Sequence, residues 1–311
     1  MDNKMILTAE DCQKCLTYPS KTIQTSKGMI EYADHGQGPV LLAVHGGPGG
    51  YDQGLGIGEI FRKAGFRIIA ASRPGYLGTP LSVGKTAEEQ GDALAALIDA
   101  IGLDKVAVVG CSAGGPSSYQ FAERHPNKVA ALIEIDSVTI KYVKSQELSK
   151  TQETIYLSKP GMWPIDFFMR HFPAAAVKNL LQTESSLDKH ELGKRVKEII
   201  KDENKLAFMN FLFQTMSQKY DQRKAGVNND IVTMEGINQL PLSNIECPTL
   251  IIHGNADSDV PISHAEYAQK NILNSELYVI KGASHIGFWV AHDAYQAQKY
   301  TVNWLKEKMG N

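Results

Sequence analysis

Short apolar runs recur along the chain, and most of them are separated by longer amphipathic segments. Runs of this length are typical of strands, because a buried strand needs only about 4–8 apolar residues. The runs lie at residues 21–25, 29–32, 40–44, 66–71, 106–109, 129–135, 249–252 and 277–280. The first two predict a hairpin that closes near Gly28. The helix-length segments between the later runs predict a mostly parallel sheet covered by helices on both faces.

One helix can be predicted from its start, its buried face and its end. Thr86 and Glu89 have the spacing of a capping box, in which each side chain accepts a hydrogen bond from the other's backbone N–H. Apolar residues then recur at i, i+3, i+4 and i+7 from Leu94 to Ile101, which places them on one face. Gly102 suits the left-handed residue that often ends a helix. Together these signals predict one helix packed on the sheet.

The alternation of strands and helices stops between residues 138 and 240, where the pattern is helical and aromatic. The apolar positions of two predicted helices are Leu192, Val196, Ile199 and Ile200, then Phe208, Phe211, Leu212 and Met216. An aromatic group lies among the prolines of this region, at Trp163, Phe167, Phe168 and Phe172. We predict a helical insertion, 138–240, between two parts of an α/β core, 1–137 and 241–311. The aromatic group is a candidate for an acyl pocket or for the insertion's own core.

Composition and charge narrow the possible classes of protein. The chain has 311 residues, 43% of them hydrophobic, and a formal net charge of -2. This charge gives no indication of a nucleic-acid-binding surface. No apolar run is long enough to span a bilayer, so we expect no stable membrane insertion. Residues 1–20 lack the apolar core of a signal peptide, so we expect a cytoplasmic protein. The oligomeric state does not follow from the sequence.

The sequence GCSAG at 110–114 comes directly after a predicted buried strand. It matches the pattern G-x-S-x-G, in which a serine lies on a strained turn between a strand and a helix. The two glycines allow the strand and the helix to approach closely, and Ala113 can present its backbone N–H to a developing oxyanion. A helical pattern follows at 117–124. This context favours Ser112 as a nucleophile over a simple glycine-rich connection.

A serine hydroxyl needs a base, and the base needs a group that orients it. His285 follows a predicted strand and precedes the last predicted helix, and it is the candidate base. Asp257 lies on the loop after the strand 249–252 and is the favoured orienting acid, because the chain order is then Ser, Asp, His. Asp259 and Asp136 are alternatives for the acid, since each also follows a predicted strand.

The sequence HGGPGG at 45–50 directly follows the strand 40–44. A glycine-rich loop can bind phosphate, but a Walker loop would end in Lys-Ser or Lys-Thr, and this sequence does not. The spacing G-x-G-x-x-G is absent as well. The loop fits better as the source of a second oxyanion donor, the backbone N–H of Gly47.

These motifs together resemble those of the α/β-hydrolase superfamily, in the branch with a helical cap. The resemblance rests on five segments in the family's order: 45–49, 72–76, 110–114, 254–257 and 282–285. It implies an α/β-hydrolase fold with an eight-stranded, mostly parallel sheet, an antiparallel second strand, and a helical cap inserted after strand six. It also implies a catalytic triad of Ser112, Asp257 and His285, and an oxyanion hole formed by Gly47 and Ala113.

From these residues we expect a carboxylesterase-like serine hydrolase. It would cleave small-molecule esters of small or medium apolar acyl groups through an acyl-enzyme, with no metal and no organic cofactor. Two alternatives remain open. The loop 45–50 is similar to that of proline iminopeptidases, which implies an aminopeptidase or amidase with a cap carboxylate for the substrate ammonium; Glu184, Asp202 and Glu203 are available. The second alternative is a small-ligand-binding protein on the same fold.

Other residues with possible chemical roles are interpreted as structural or exposed. Cys12 and Cys15 form a C-x-x-C, but without a second such pair we read them as a reduced pair, with a redox or metal role as the alternative. Cys111 precedes the serine and is read as packing. His253 is also read as packing. Surface positions are predicted for His125, His171, His264 and His292.

Overall fold

The computed structural model describes residues 6–143 and 167–310, which contain one eight-stranded sheet. The strands are β1 (Lys21–Thr25), β2 (Gly28–His35), β3 (Val40–Val44), β4 (Arg67–Ala71), β5 (Val106–Cys111), β6 (Val129–Ile135), β7 (Thr249–Gly254) and β8 (Ser275–Ile280). Their order across the sheet is β1-β2-β4-β3-β5-β6-β7-β8. β2 is antiparallel to both of its neighbours, and the pairings from β4 to β8 are parallel. The predicted fold class is confirmed.

Several strands extend beyond the apolar runs that predicted them. β2 continues to His35, because its backbone pairing with β4 goes on through Asp34 and His35 although these side chains are polar. In the same way β5 includes Cys111 and β7 includes Gly254. The apolar pattern marks only the run of nonpolar residues, whereas the strand is defined by its ladder of backbone hydrogen bonds, which continues through polar residues, cysteine and glycine.

Helices precede, separate and follow the strands. The first part of the chain contains α1 (Ala9–Thr17), α2 (Tyr51–Lys63), α3 (Ala87–Ile101) and α4 (Gly115–Arg124). Between β6 and β7 lie α5 (Pro173–Glu184), α6 (Lys189–Lys201), α7 (Glu203–Ser217) and α8 (Tyr220–Gly236). The last part contains α9 (Ser263–Asn271), α10 (Gly287–Val290) and α11 (Ala294–Met309). Within the described ranges, no helix combines the length and apolar character needed to cross a membrane.

Alternate residues of the central strands pack into two separate apolar layers. In β3, Leu41 belongs to the layer that also contains Leu55 of α2. The next residue, Leu42, belongs to the layer that contains Leu97 of α3. Successive side chains of a strand point to opposite faces of a sheet. Because both faces are covered, β3 and β5 carry no polar residue that alternates with their apolar ones.

The helix α3 has the start and the end that the sequence predicts. The Thr86 hydroxyl accepts a hydrogen bond from the Glu89 N–H at 3.2 Å, and a Glu89 carboxylate oxygen accepts one from the Thr86 N–H at 3.2 Å. Leu94 is buried on the inner face. Gly102 ends the helix with a left-handed φ of +78°. This prediction is confirmed.

Four helices, α5 to α8, lie in the stretch after the sixth strand for which a helical insertion is predicted. Their buried apolar side chains include Leu192, Val196 and Ile199 in α6 and Phe208 and Phe211 in α7. The chain leaves and rejoins the core at one place, because Ile140 and Gln239 form a β-bridge. The boundaries at 138 and 240 stay a prediction.

The aromatic group of the insertion is only partly within the described residues. Trp163 lies outside them. Phe167, Phe168 and Phe172 are 43%, 50% and 54% exposed, so these three side chains do not form the insertion's core. A role of the group in an acyl pocket stays a prediction.

Removal of the Thr86 hydroxyl tests whether the capping box stabilises the fold. We expect Thr86→Ala to lower the free energy of unfolding by about 1 kcal/mol, since an N-cap hydrogen bond to α3 is lost. Urea denaturation followed by circular dichroism measures this. Lys85→Ala is the control, because the side chain of Lys85 is exposed and only its backbone contacts the box. Equal stability of the two variants would contradict the prediction.

Candidate active site

Ser112 lies on a tight turn between β5 and α4. Its φ of +53° is a left-handed backbone conformation that few residues other than glycine adopt. A β-carbon on Gly110 would overlap the Ser118 hydroxyl, and one on Gly114 would overlap the carbonyl oxygen of His45. Both flanking positions therefore require glycine, as the pattern G-x-S-x-G predicts.

The structure brings Ser112, His285 and Asp257 into one chain of hydrogen bonds. The Nε2 atom of His285 is 2.8 Å from the Ser112 Oγ, and its Nδ1 atom is 2.7 Å from Asp257 Oδ2. Asp257 is held in turn, since its Oδ1 accepts the backbone N–H groups of Asp259 and Val260, both at 2.9 Å. In the neutral imidazole, Nδ1 donates to the Asp257 carboxylate, which only accepts, and Nε2 is left to accept from the serine.

The two alternative acids lie near His285 but do not reach its Nδ1. Asp259 Oδ2 is 3.7 Å from Nε2 of the imidazole, and Asp259 Oδ1 accepts a 2.6 Å hydrogen bond from the Tyr142 hydroxyl. Asp136 Oδ1 accepts a backbone N–H of β7 at 2.9 Å. Burial, together with the nearby Asp257, raises the pKa of Asp136 well above its ordinary value. The geometry therefore favours Asp257 as the orienting acid.

The electrostatic environment of His285 favours its charged form. Burial by itself lowers the pKa of the imidazole, but the carboxylates of Asp257, Asp259 and Glu184 outweigh this effect. The pKa of His285 is therefore held well above 6.5. A group has to be in its neutral form to take a proton, so these carboxylates shift proton uptake by the imidazole to higher pH.

Of the three carboxylates considered for the cap, Glu184 lies at the site. Its backbone carbonyl accepts the N–H groups of Ser258 and His285, both at 3.3 Å. Its Oε2 is buried without a hydrogen-bond partner among the described residues. Burial raises the pKa of Glu184 to about 8. The other two lie elsewhere: Asp202 caps the start of α7, and Glu203 is exposed.

The loop at 45–50 lies directly against the serine turn. A β-carbon on Gly46 would be 3.2 Å from the Ser112 β-carbon, and one on Gly47 would be 3.4 Å from the Ala113 β-carbon. Absence of side chains at Gly46 and Gly47 therefore lets the loop backbone approach Ser112. The assignment of the Gly47 and Ala113 N–H groups to an oxyanion hole stays a prediction.

Two buried ion pairs beside this loop were not found from the sequence. Arg73 pairs with Asp230 of α8 at 2.6 Å, and Arg223 of α8 pairs with Asp52 at 2.5 Å. Both arginine side chains are almost completely buried. One feature of the sequence could have pointed to these ion pairs: Arg223 and Asp230 are spaced two helical turns apart, so they share one face of α8.

A group of possible metal ligands lies behind the triad. Within the described part of the chain, Asp136, His253 and Asp257 offer donor atoms within 4.8 Å of one another. Both oxygens of Asp257 already accept hydrogen bonds, and Nε2 of His253 is 2.7 Å from the carbonyl oxygen of Val260, to which it must donate. This arrangement supports the interpretation of His253 as a buried packing residue.

The other predicted roles have mixed outcomes. The surface position predicted for His264 is wrong: the ring is buried, its Nδ1 accepts the Thr139 N–H at 3.0 Å, and burial lowers its pKa to about 4. The segment after β6 packs on α9 there, which the local sequence did not reveal.

Cys111 is buried, and burial raises its thiol pKa well above the ordinary value. Cys12 and Cys15 are free and buried, and burial raises the pKa of Cys12 to about 12. Such protonated thiols fit packing.

The raised pKa of His285 can be measured directly. We expect the imidazole of the full-length protein to titrate above 6.5, and Asp259→Asn to lower that pKa, because one of the carboxylates that favour the imidazolium is removed. NMR of protein labelled at histidine provides the titration curves. Asp293→Asn is the control, since that carboxylate is exposed and lies outside the triad. An unchanged titration of His285 in Asp259→Asn would contradict the expected effect.

Comparison with known proteins agrees with this geometry. Residues 39–291 match the sequence profile of the alpha/beta hydrolase fold family. A protein named as an uncharacterized hydrolase of Bacillus subtilis is 25% identical over 290 residues, which cover 92% of this chain and 98% of that protein. A 2-hydroxy-6-oxononadienedioate/2-hydroxy-6-oxononatrienedioate hydrolase of Pseudomonas putida is 26% identical over 283 residues, which cover 86% of this chain and 88% of that protein.

A solved structure gives the same result. The alpha/beta hydrolase fold protein from Nakamurella multipartita superimposes with a TM-score of 0.87 and 34% sequence identity, covering 94% of this chain and 100% of its own. The sheet order, the left-handed serine between two glycines, and the family profile over most of the chain point the same way. The chain therefore belongs to the α/β-hydrolase family and is a hydrolytic enzyme.

Proposed function

We propose that this enzyme is a serine hydrolase that cleaves carboxylic esters through an acyl-enzyme. The observation that carries the proposal is the chain of hydrogen bonds from Ser112 Oγ through His285 to Asp257, with lengths of 2.8 Å and 2.7 Å. Its strained serine turn and buried acid are the features that such a nucleophile needs. The substrate is a small molecule with an ester bond.

The reaction proceeds in two halves. The Ser112 Oγ attacks the ester carbonyl carbon while Nε2 of His285 takes the hydroxyl proton, and Asp257 stabilises the imidazolium that forms. The C–O bond to the alcohol then breaks, and the imidazolium gives the alcohol its proton. Water attacks the acyl-enzyme with His285 as base, which releases the acid and restores the serine. Each step uses protein groups and water, and none needs a metal or an organic cofactor.

The oxyanion of each tetrahedral intermediate is bound by the backbone N–H groups of Gly47 and Ala113. The closeness of the loop 45–50 to the serine turn supports this assignment. Loss of one such donor raises the barrier by roughly 3–4 kcal/mol in comparable enzymes. Acyl groups of small or medium size and apolar character, bound beneath a cap formed by residues 138–240, complete the proposal.

Ester hydrolysis by Ser112 is tested with p-nitrophenyl esters of graded acyl length. We expect turnover that peaks at one chain length, and a fall in kcat of about 10³-fold or more in Ser112→Ala, because the nucleophile is lost. The control is Ser26→Ala, an exposed serine in the turn between β1 and β2. A slowly deacylating ester should also add the mass of its acyl group to the wild type but not to Ser112→Ala.

Wild-type protein without turnover of any ester and without a mass shift would contradict ester hydrolysis. Turnover that survives unchanged in Ser112→Ala would contradict the proposed nucleophile. A protein that binds these esters with no turnover would instead support the ligand-binding alternative.

A second candidate function is hydrolysis next to a free amino group, as in an aminopeptidase or amidase. The observation that favours it is Glu184, whose buried Oε2 has no hydrogen-bond partner among the described residues. A substrate ammonium at this position would lower the pKa of Glu184 from about 8 and form a buried charge-assisted hydrogen bond. Asp259, beside His285, adds to the attraction of a cation. When ionised, the same carboxylates disfavour a dianion such as the dienedioate for which the Pseudomonas putida relative is named.

The two functions are separated by Glu184→Gln. If the amine is recognised there, kcat/KM for aminoacyl p-nitrophenyl esters or p-nitroanilides falls by about 10–100-fold, the size expected for one hydrogen bond to a charged group. The N-acetylated counterparts carry no ammonium and should lose much less, and a loss shared by both substrates reports the effect of Glu184 on His285. Glu203→Gln, which changes an exposed carboxylate of the same region, is the control. An equal loss for free and acetylated substrates would exclude amine recognition by Glu184.

A further inference from the structure

The carbonyl groups of the loop 45–50 are bound by two buried arginines. Arg73 donates from Nε to the His45 carbonyl at 2.9 Å and from Nη2 to the Gly46 carbonyl at 3.2 Å. Arg223 donates from Nη1 to the Gly49 carbonyl at 2.5 Å. The four glycines of this loop have no side chains to pack, so these hydrogen bonds help to fix their backbone.

Each arginine is oriented by an aspartate across the contact between α8 and the core: the arginine of the core binds an aspartate of α8, and the arginine of α8 binds an aspartate of the core. Arg73, after β4, donates to both oxygens of Asp230 on α8, at 2.7 Å and 2.6 Å. Arg223 on α8 donates to both oxygens of Asp52 on α2, at 3.1 Å and 2.5 Å. Such two-pronged pairs fix the plane of a guanidinium as well as its position. The helix thus supplies the acid of one pair and the base of the other.

The backbone of α8 is also close to the segment that carries Arg73. The N–H of Gly226 donates to the Gly75 carbonyl at 2.8 Å, and the N–H of Leu77 donates to the Gln222 carbonyl at 2.7 Å. A β-carbon on Gly226 would overlap the ring of Tyr76. The hydroxyl of Tyr76 donates to Asp230 Oδ2 at 2.5 Å, so the acid that orients Arg73 has a second partner.

The contact between Arg73 and the Gly46 carbonyl has a consequence for the next N–H. The C=O of Gly46 and the N–H of Gly47 belong to one planar trans peptide unit, so they point in opposite directions. Nδ1 of His45 is 2.6 Å from the same carbonyl oxygen. Because Nε2 of His45 accepts a hydrogen bond from the backbone N–H of Arg73, the ring proton is on Nδ1, which donates to the carbonyl. Two donors therefore hold the carbonyl, and with it the direction of the Gly47 N–H.

We propose that Asp230 and Arg73 are positioning residues, through which helix α8 sets the direction of the oxyanion-binding N–H of Gly47. The inference rests on the proposed function, in which this N–H binds the oxyanion. Asp230 orients Arg73, Arg73 holds the Gly46 carbonyl, and the rigid peptide unit passes that orientation to Gly47. Helix α8 is then a fixed part of the oxyanion hole and not a freely moving cover.

The test uses Asp230→Asn in the full-length enzyme with the best p-nitrophenyl ester. We expect kcat to fall by about 10–100-fold, less than for complete loss of an oxyanion donor because the N–H is misdirected and not removed, while KM changes by about twofold or less. The affinity for a trifluoromethyl ketone with the same acyl chain should fall by a factor similar to that in kcat/KM, because its adduct with the serine places an oxyanion in the same hole. Glu235→Gln, an exposed carboxylate on the same helix, should change neither quantity.

A second variant guards against loss of folding in Asp230→Asn. Tyr76→Phe removes only the hydroxyl that donates to Asp230, and the ring remains packed on Gly226. We expect a smaller fall in kcat and in ketone affinity, in the same ratio, with KM again unchanged. Thermal melting establishes that each variant is folded at the assay temperature.

One result would overturn the inference but not the proposed function. In it, the wild type is active, and kcat and ketone affinity are unchanged in Tyr76→Phe and in folded Asp230→Asn. A rise in KM with unchanged kcat would also overturn it, since substrate binding and not the oxyanion would then be affected. Wild-type enzyme that neither turns over esters nor binds the ketone would overturn the proposed function, and the inference with it.

Discussion

The left-handed backbone at Ser112 is a constraint that the surrounding structure has to satisfy. A non-glycine residue at φ +53° persists only where its neighbours hold it in place. β5 provides this support, because it is buried along its whole length between β3 and β6. The glycines at 110 and 114 remove the β-carbons that would otherwise overlap α4 and the loop after β3. The central strands therefore fix the position of the serine, and the loops at the same edge of the sheet bring the other groups to it.

Buried charges lie on two sides of this turn and have different consequences. Beside His285, carboxylates act together to favour the imidazolium. Beside the loop 45–50, each acid is instead paired with an arginine. Buried ion pairs are weak evidence for stability, because apolar residues of similar size are often as favourable. Their distinctive property is that they fix orientation, since a guanidinium that binds both oxygens of one carboxylate has little freedom to turn. That property matters most next to a loop in which four of the six residues are glycines.

The sequence predicts the elements whose burial is apolar and periodic, which include all eight strands and α3. It does not predict α8 in the same way, because the buried face of that helix carries Arg223 and Asp230 and hydrophobic periodicity does not register them. The choice between Asp136, Asp257 and Asp259 is also beyond spacing alone. All three follow strands at one edge of the sheet, and only the distance to Nδ1 of His285 separates them. Local sequence patterns predict secondary-structure elements and turns, whereas contacts between distant segments become apparent only from the three-dimensional structure.

The core and the helices after the sixth strand contribute different groups to the site, which explains how related chains can share chemistry without sharing substrates. The serine turn and His285 belong to the core, whereas Glu184 and Asp230 come from helices that follow the sixth strand. Changes in those helices can alter the charge around Ser112 and leave the turn intact. A relative named for a dianionic substrate can therefore share the sheet and most of the chain length with this enzyme and still act on a different class of molecule. The charge near His285 is therefore a property that overall similarity to such a relative does not predict.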